Sequence, residues 1–94
     1  MKLVINSCFG GFSLSQTACA MLGVDEWEGR NLLRNDARLI KIVEQLGEDA
    51  NGMCAKLEIV EIPDTATDYH VEEYDGLETV IYVVDGKLHW SNNY

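Results

Sequence analysis

Apolar and polar positions change their period along the chain. Lys2-Leu3-Val4-Ile5-Asn6 is a short run of β-formers, too short for a buried helix, and it leads into Cys8-Phe9-Gly10-Gly11-Phe12, where paired glycines permit a tight turn. Ser13 or Ser15 can cap a helix beyond it, because Leu14, Ala18, Met21 and Leu22 recur at helical spacing up to Gly23, a natural stop. From Val24 to Arg34 the pattern weakens. Asp25-Glu26-Trp27-Glu28 is polar around one aromatic and Gly29 interrupts it, which predicts a connector with a single helical turn. Asn35 or Asp36 then supplies an N-cap, and Leu39, Ile42, Val43 and Leu46 share one helix face that ends at Gly47.

The second half alternates instead. Asn51-Gly52 marks a turn, and Leu57-Glu58-Ile59-Val60-Glu61-Ile62 reads as a strand stopped by Pro63-Asp64. Tyr69 to Tyr74 leads into Asp75-Gly76, and Thr79 to Val84 leads into Asp85-Gly86 before Lys87-Leu88-His89-Trp90. Asp-Gly between β-rich runs is a strong hairpin signal, so this half should be an antiparallel meander. Two strands separated by helices are usually parallel neighbours through a right-handed crossover, which places the first strand beside Leu57–Ile62. The expectation is a two-layer α+β fold, ordered β-α-α-β-β-β, with a mixed sheet, a C-terminal antiparallel meander and helices on one face. Residues 1–94 form one domain in this reading, with Ser91-Asn92-Asn93-Tyr94 frayed.

Composition narrows the functional classes. Seven Lys+Arg against 16 Asp+Glu give a net charge of −9, while 47% hydrophobic residues suffice for a single small core. Such a surface has no general attraction for phosphate backbones or anionic lipid, so direct nucleic-acid and membrane binding are not expected. No apolar run approaches a spanning length and no leader pattern is visible, which reads as soluble and unprocessed. Cys8, Cys19 and Cys54 are odd in number and lack metal-like pairing, pointing to a reducing compartment rather than disulfides or zinc. His70 and His89 have no ligand spacing, so neither a metal nor a cofactor is implied.

Four sets of residues could carry chemistry. Cys8 sits where a strand turns into a helix, a place that can stabilise a thiolate, yet no base is near it in sequence, and a small buried cysteine at a strand end is the favoured account. Gly10 and Gly11, with Ser13 opening the following helix, could cradle an anion, although the segment matches no phosphate-loop pattern and a sharp turn also demands glycine there. Arg30, Arg34 and Arg38, with Lys41, form a compact basic cluster able to hold a small anion, or to pair internally with Glu26, Glu28, Asp36 or Glu44. The opposite pole runs from Glu58 to Glu78 with eight acids and no Lys or Arg. There, alternation places Asp68, His70, Glu72 and Tyr74 on one strand face and Tyr69, Val71 and Glu73 on the other, and the first four, with Glu73 and Asp75, are the candidate partner surface. This is either a solvated acidic face or a surface for a basic protein.

Three blocks resemble a family of short, uncharacterised proteins of tailed bacteriophages: Leu3 to Ser15; Arg34-Asn35-Asp36 with Ile42 to Gly47; and Leu57 to Pro63 with Glu72-Glu73-Tyr74-Asp75-Gly76. The ending departs from that pattern at Val83-Val84-Asp85-Gly86, which adds a short strand. The resemblance implies an accessory protein acting in the host bacterial cytoplasm and brings no established activity. With the charge, it points to a binding or inhibitor module against a host protein with a basic surface, of the anti-restriction or anti-CRISPR kind. The alternative is a small-molecule binder, assembled as a homo-oligomer, that sequesters a nucleotide-like anionic immune signal through Gly10-Gly11 and the arginines. A third reading is a Cys8-dependent enzyme.

Overall fold

The computed structural model describes residues 1–91. Elements follow in the order β1 (Lys2–Asn6), α1 (Gln16–Leu22), α2 (Glu26–Arg30), α3 (Ala37–Leu46), a single 3-10 turn (Gly47–Ala50), β2 (Leu57–Glu61), β3 (Asp68–Tyr74), β4 (Leu77–Val84) and β5 (Lys87–Trp90). The chain is α+β with a C-terminal antiparallel meander, as the sequence pattern indicates.

Caps set the helix boundaries. The Ser15 hydroxyl accepts from Ala18 N and Gly23 closes α1 in the left-handed region, so Leu14 precedes this helix and instead bridges to Asn51. Asp25 and Glu28 close a reciprocal capping box that starts α2, the short helical turn expected in this connector. Gly29 lies inside α2 rather than breaking it. A Cβ there would press on Leu14 and Cys19 at 3.2 and 3.4 Å, so glycine lets α2 pack closely on α1. Asp36 caps α3 through Arg38 N and Leu39 N.

The strands form two separate antiparallel sheets, β1-β2 and β3-β4-β5, instead of one mixed sheet. β1 pairs with β2 antiparallel, Asn6 opposite Leu57 and Lys2 opposite Glu61, which corrects the parallel crossover. The cause is local anchoring. Gly52 N donates to Ser13 O, Ser7 N to Lys56 O, and the Asn6 side chain accepts from Lys56 N, so the returning chain enters beside the end of β1. From there it can only run backwards along that strand.

The helices cover one face of the β1-β2 ribbon, where Val4 packs with Leu14, Ala18, Leu39, Ile42 and Val43. The meander covers the other face, where Leu3 and Ile5 meet Ile62, Val80, Tyr69 and Val71. β1 is therefore sheathed on both sides, and Leu3, Val4 and Ile5 are fully buried. β5 extends the meander beyond the three later strands of the expected order. Ser91 stays in register, donating from its N to Val80 O while its hydroxyl accepts from Val80 N, both at 2.9 Å. The remainder of the expected frayed tail, 92–94, lies outside the described residues. Among those described, no helix is long and apolar enough to cross a membrane.

Candidate functional site

Two regions collect the residues singled out above: a polar junction beneath the glycine turn, and the outer face of the meander. At the junction, the Asn6 side-chain amide donates to Cys8 O at 2.7 Å and Gly76 O at 2.6 Å, while Asn6 N donates to a Glu78 carboxylate oxygen at 2.9 Å. Glu78 also receives Arg34 bidentately, with Nη2 to Oε2 at 2.8 Å. The Arg34 guanidinium lies 3.6 Å over the Phe12 ring and donates from Nη1 to Leu32 O at 2.7 Å. Its own carbonyl accepts from Val4 N at 2.8 Å. Arg34 thus ties the α2–α3 connector to β1 by backbone and to β4 by side chain, with only 16% of the side chain exposed.

The glycine turn is filled from within the chain. Gly10 N donates to Asp75 O at 3.0 Å, and a Cβ on Gly76 would collide with Gly11 N. On the other side, a Cβ on Gly10 would come within 2.8 Å of Cys54. The Asp75-Gly76 hairpin turn and the Cys54 loop therefore clasp Gly10 and Gly11, and the Gly10 N–H that an anion would need is already engaged. Ser13 is buried and its hydroxyl donates to Met53 O at 3.2 Å. Cys8 is half-buried at this junction, while His70 lies four residues up β3 from Tyr74 and His89 stacks on Tyr82 at 5.3 Å. The loops around Cys8 hold no histidine.

The other arginines stay on the surface. Arg30 lies 4.0 Å from Glu26, and Arg38 is 3.3 Å from Asp36, whose carboxyl this guanidinium holds below its usual range. The fold brings only Arg34 of the three to the glycine segment, through Phe12, and meets its charge with Glu78. That partner belongs to the acidic run that sequence reading left unrelieved. Its signal was present in the alternation: Glu78 shares strand parity with Val80 and Tyr82, which face the core.

Asp68, His70, Glu72 and Tyr74 do share the solvent face of β3, and all are exposed. The Asp68 carboxylate accepts from Tyr69 N at 2.8 Å, and His70 Nε2 lies 3.3 Å from Glu72. Glu73 folds back to accept from Gly76 N, and Asp75 takes the positive φ of the turn. Lys2, Arg30, Arg34 and Arg38 pair with acids outside this group, so Asp68, Glu72, Glu73 and Asp75 have no Lys or Arg bridge among the described residues. Across the sheet, Asp68 stands opposite Val83 and Val83 opposite Leu88; His70 stands opposite Ile81 and Ile81 opposite Trp90. Sequence reading missed this apolar company, because β5 was not joined to the face of β3. No group of His, Cys, Asp or Glu among the described residues is arranged to hold a metal.

Comparison with family models, curated proteins and solved structures gives no match.

Proposed function

We propose that this chain is a small acidic binding module that engages a basic surface on a host protein, in the manner of a phage counter-defence inhibitor acting in the bacterial cytoplasm. The observation that carries the reading is the group of exposed acids at β3 and its turn, with Asp68 and Glu72 on the outer face, Glu73 on the opposite face and Asp75 in the turn, none of them bridged by Lys or Arg among the described residues. Unneutralised charge on a rigid strand steers and orients an oppositely charged partner, giving fast and salt-sensitive association. The resemblance of the Leu3–Ser15 and Glu72–Gly76 blocks to tailed-phage proteins supports the host setting.

The test is a capture experiment from bacterial lysate with the wild-type chain and with Glu72→Lys/Glu73→Lys as bait. The expected result is a retained protein of basic charge that is lost at high salt and absent from the charge-reversed bait. A partner retained equally by both baits and insensitive to salt sinks the reading.

A small-ligand reading has one observation in its favour. A groove of about 350 Å³ lies over the Arg34–Glu78 pair, walled by Leu3, Leu32, Leu33, Tyr69 and Val71. Because Glu78 meets the Arg34 charge, this groove suits an uncharged ring better than a free phosphate. Thermal-shift screening of nucleosides against nucleotides separates the two chemistries, and the absence of a shift with either class removes the reading.

A further inference from the structure

Resting on the proposal that this face binds a basic protein, we infer that the partner supplies an amphipathic helix, apolar along one side and bearing Lys or Arg on its flank, which lies along the outer face of β3-β4-β5. The inner face of this sheet is buried against Leu3 and Ile5. Among the described residues no other element packs on its outer face, yet that face is not polar throughout. Leu88 and Trp90 on β5 are 56% and 54% exposed and stand beside half-buried Val83 and buried Ile81, so the exposed apolar strip runs along β5 and borders the apolar residues of β4. The acids Asp68 and Glu72 run along the β3 edge of the same face, one strand away. An apolar centre bordered by charge of one sign is the anatomy of a protein interface, and Trp and Tyr are the side chains that anchor one. Tyr74, 74% exposed, closes the acidic column at the hairpin end.

Dimensions and charge select the occupant. Neighbouring strands lie about 4.8 Å apart, so β3 to β5 spans roughly 10 Å, the width of one helix of about 10–12 Å diameter. A helix seated on the Leu88–Trp90 strip brings one flank over Asp68 and Glu72, where cationic side chains find carboxylates that no Lys or Arg bridges among the described residues. A second copy of this chain fits poorly, since each copy carries a net charge of −9 and brings acids to the same face.

A synthetic Leu/Lys peptide of about 18 residues, patterned as an amphipathic helix, is the probe; controls are a scrambled peptide of equal composition and a Leu/Glu peptide. Amide shifts in NMR spectra of the full chain should map to Asp68, Glu72, Ile81, Leu88 and Trp90. Trp90→Ala and, separately, Leu88→Ser should each weaken the Leu/Lys peptide by about tenfold or more, with folding verified by thermal unfolding, while Trp27→Ala on α2 leaves it unchanged. Equal binding of the scrambled peptide, shifts that map elsewhere, no binding of the Leu/Lys peptide, or self-association through this face overturns the inference. Loss of binding in Asp68→Lys/Glu72→Lys without an effect of Trp90→Ala or Leu88→Ser removes the apolar anchor and leaves the acidic reading standing. The reverse pattern removes the acidic reading instead.

Discussion

The Arg34 guanidinium and the Glu78 carboxylate meet across 44 residues of chain, with Nε 3.1 Å from both carboxylate oxygens and Nη2 2.8 Å from Oε2. Since Glu78 also accepts from Asn6 N, one carboxylate joins the central strand, the helical connector and the meander. Removing either member leaves a buried charge without its partner.

Arg34→Met and Glu78→Leu should therefore each destabilise the chain by about 3–5 kcal/mol, whereas the double variant recovers much of that loss because no isolated charge remains. Recovery should be incomplete, as Asn6 N loses its acceptor at a cost of about 1–3 kcal/mol. Urea unfolding of the four proteins closes the cycle. Single-variant losses below about 1 kcal/mol would mean that the pair does not hold the layers together.

The two Asp-Gly turns provide an internal comparison. Asp75-Gly76 and Asp85-Gly86 both place each residue at positive φ, the backbone of a two-residue hairpin, so local chemistry is the same. Their surroundings differ, because a Cβ on Gly76 strikes the backbone of Gly10 and Gly11 while one on Gly86 meets open space. Gly86→Ala should cost about 1–2 kcal/mol for the left-handed backbone alone. Gly76→Ala should cost clearly more and also disturb the glycine turn, seen as amide shifts at Gly10 and Gly11.

These particulars explain what the sequence made legible. Caps at Ser15 and Asp36, the apolar face of α3 and both Asp-Gly turns act within a few residues, so local pattern reveals them. The direction of β2 does not act locally. It follows from hydrogen bonds that Asn6, Ser7 and Ser13 make with residues 52–56, and no periodicity encodes those. The same holds for the candidate site. The exposed column of Asp68, His70, Glu72 and Tyr74 follows from alternation on one strand, but Leu88 and Trp90 join it only through strand pairing. Glu78 leaves the acidic run only once Arg34 is brought beside it.

The three cysteines should separate by accessibility. Cys19 is buried in the helical layer, and loss of solvent, followed by the nearby Glu26 and Asp25, pushes its thiol above the ordinary range. Cys54 is exposed and Cys8 is half-buried at the glycine turn. Iodoacetamide labelling read by mass spectrometry should modify Cys54 first, Cys8 more slowly and Cys19 only after denaturation. Rapid native labelling of Cys19 would show that α1 and α2 open together. Labelling of Cys8 ahead of Cys54 would revive the nucleophile reading.

Asp36 gives the chain an acid-sensitive element. Its carboxylate accepts from Arg38 N at 2.8 Å and Leu39 N at 3.3 Å, and it pairs with the Arg38 guanidinium. The Arg38 side-chain hydrogen bond is the main influence lowering its pKa from 3.8; partial burial opposes it and the two backbone donors add to it. A carboxylate whose folded pKa lies below its unfolded value binds fewer protons when folded, so its stabilisation is complete above 3.8 and disappears as pH falls through the folded value. Asp36→Ala, which removes the cap of α3, should cost about 1 kcal/mol at neutral pH. Asp36→Asn keeps a capping oxygen but not the charge, so it should lose less. Its deficit against the wild type should then shrink as pH is taken from neutral to well below 3.8, where the wild-type carboxylate loses its advantage. Urea unfolding of the three proteins at both pH values measures this, and a deficit for Asp36→Asn that grows on acidification would show that the Arg38 pairing does not stabilise the folded helix start.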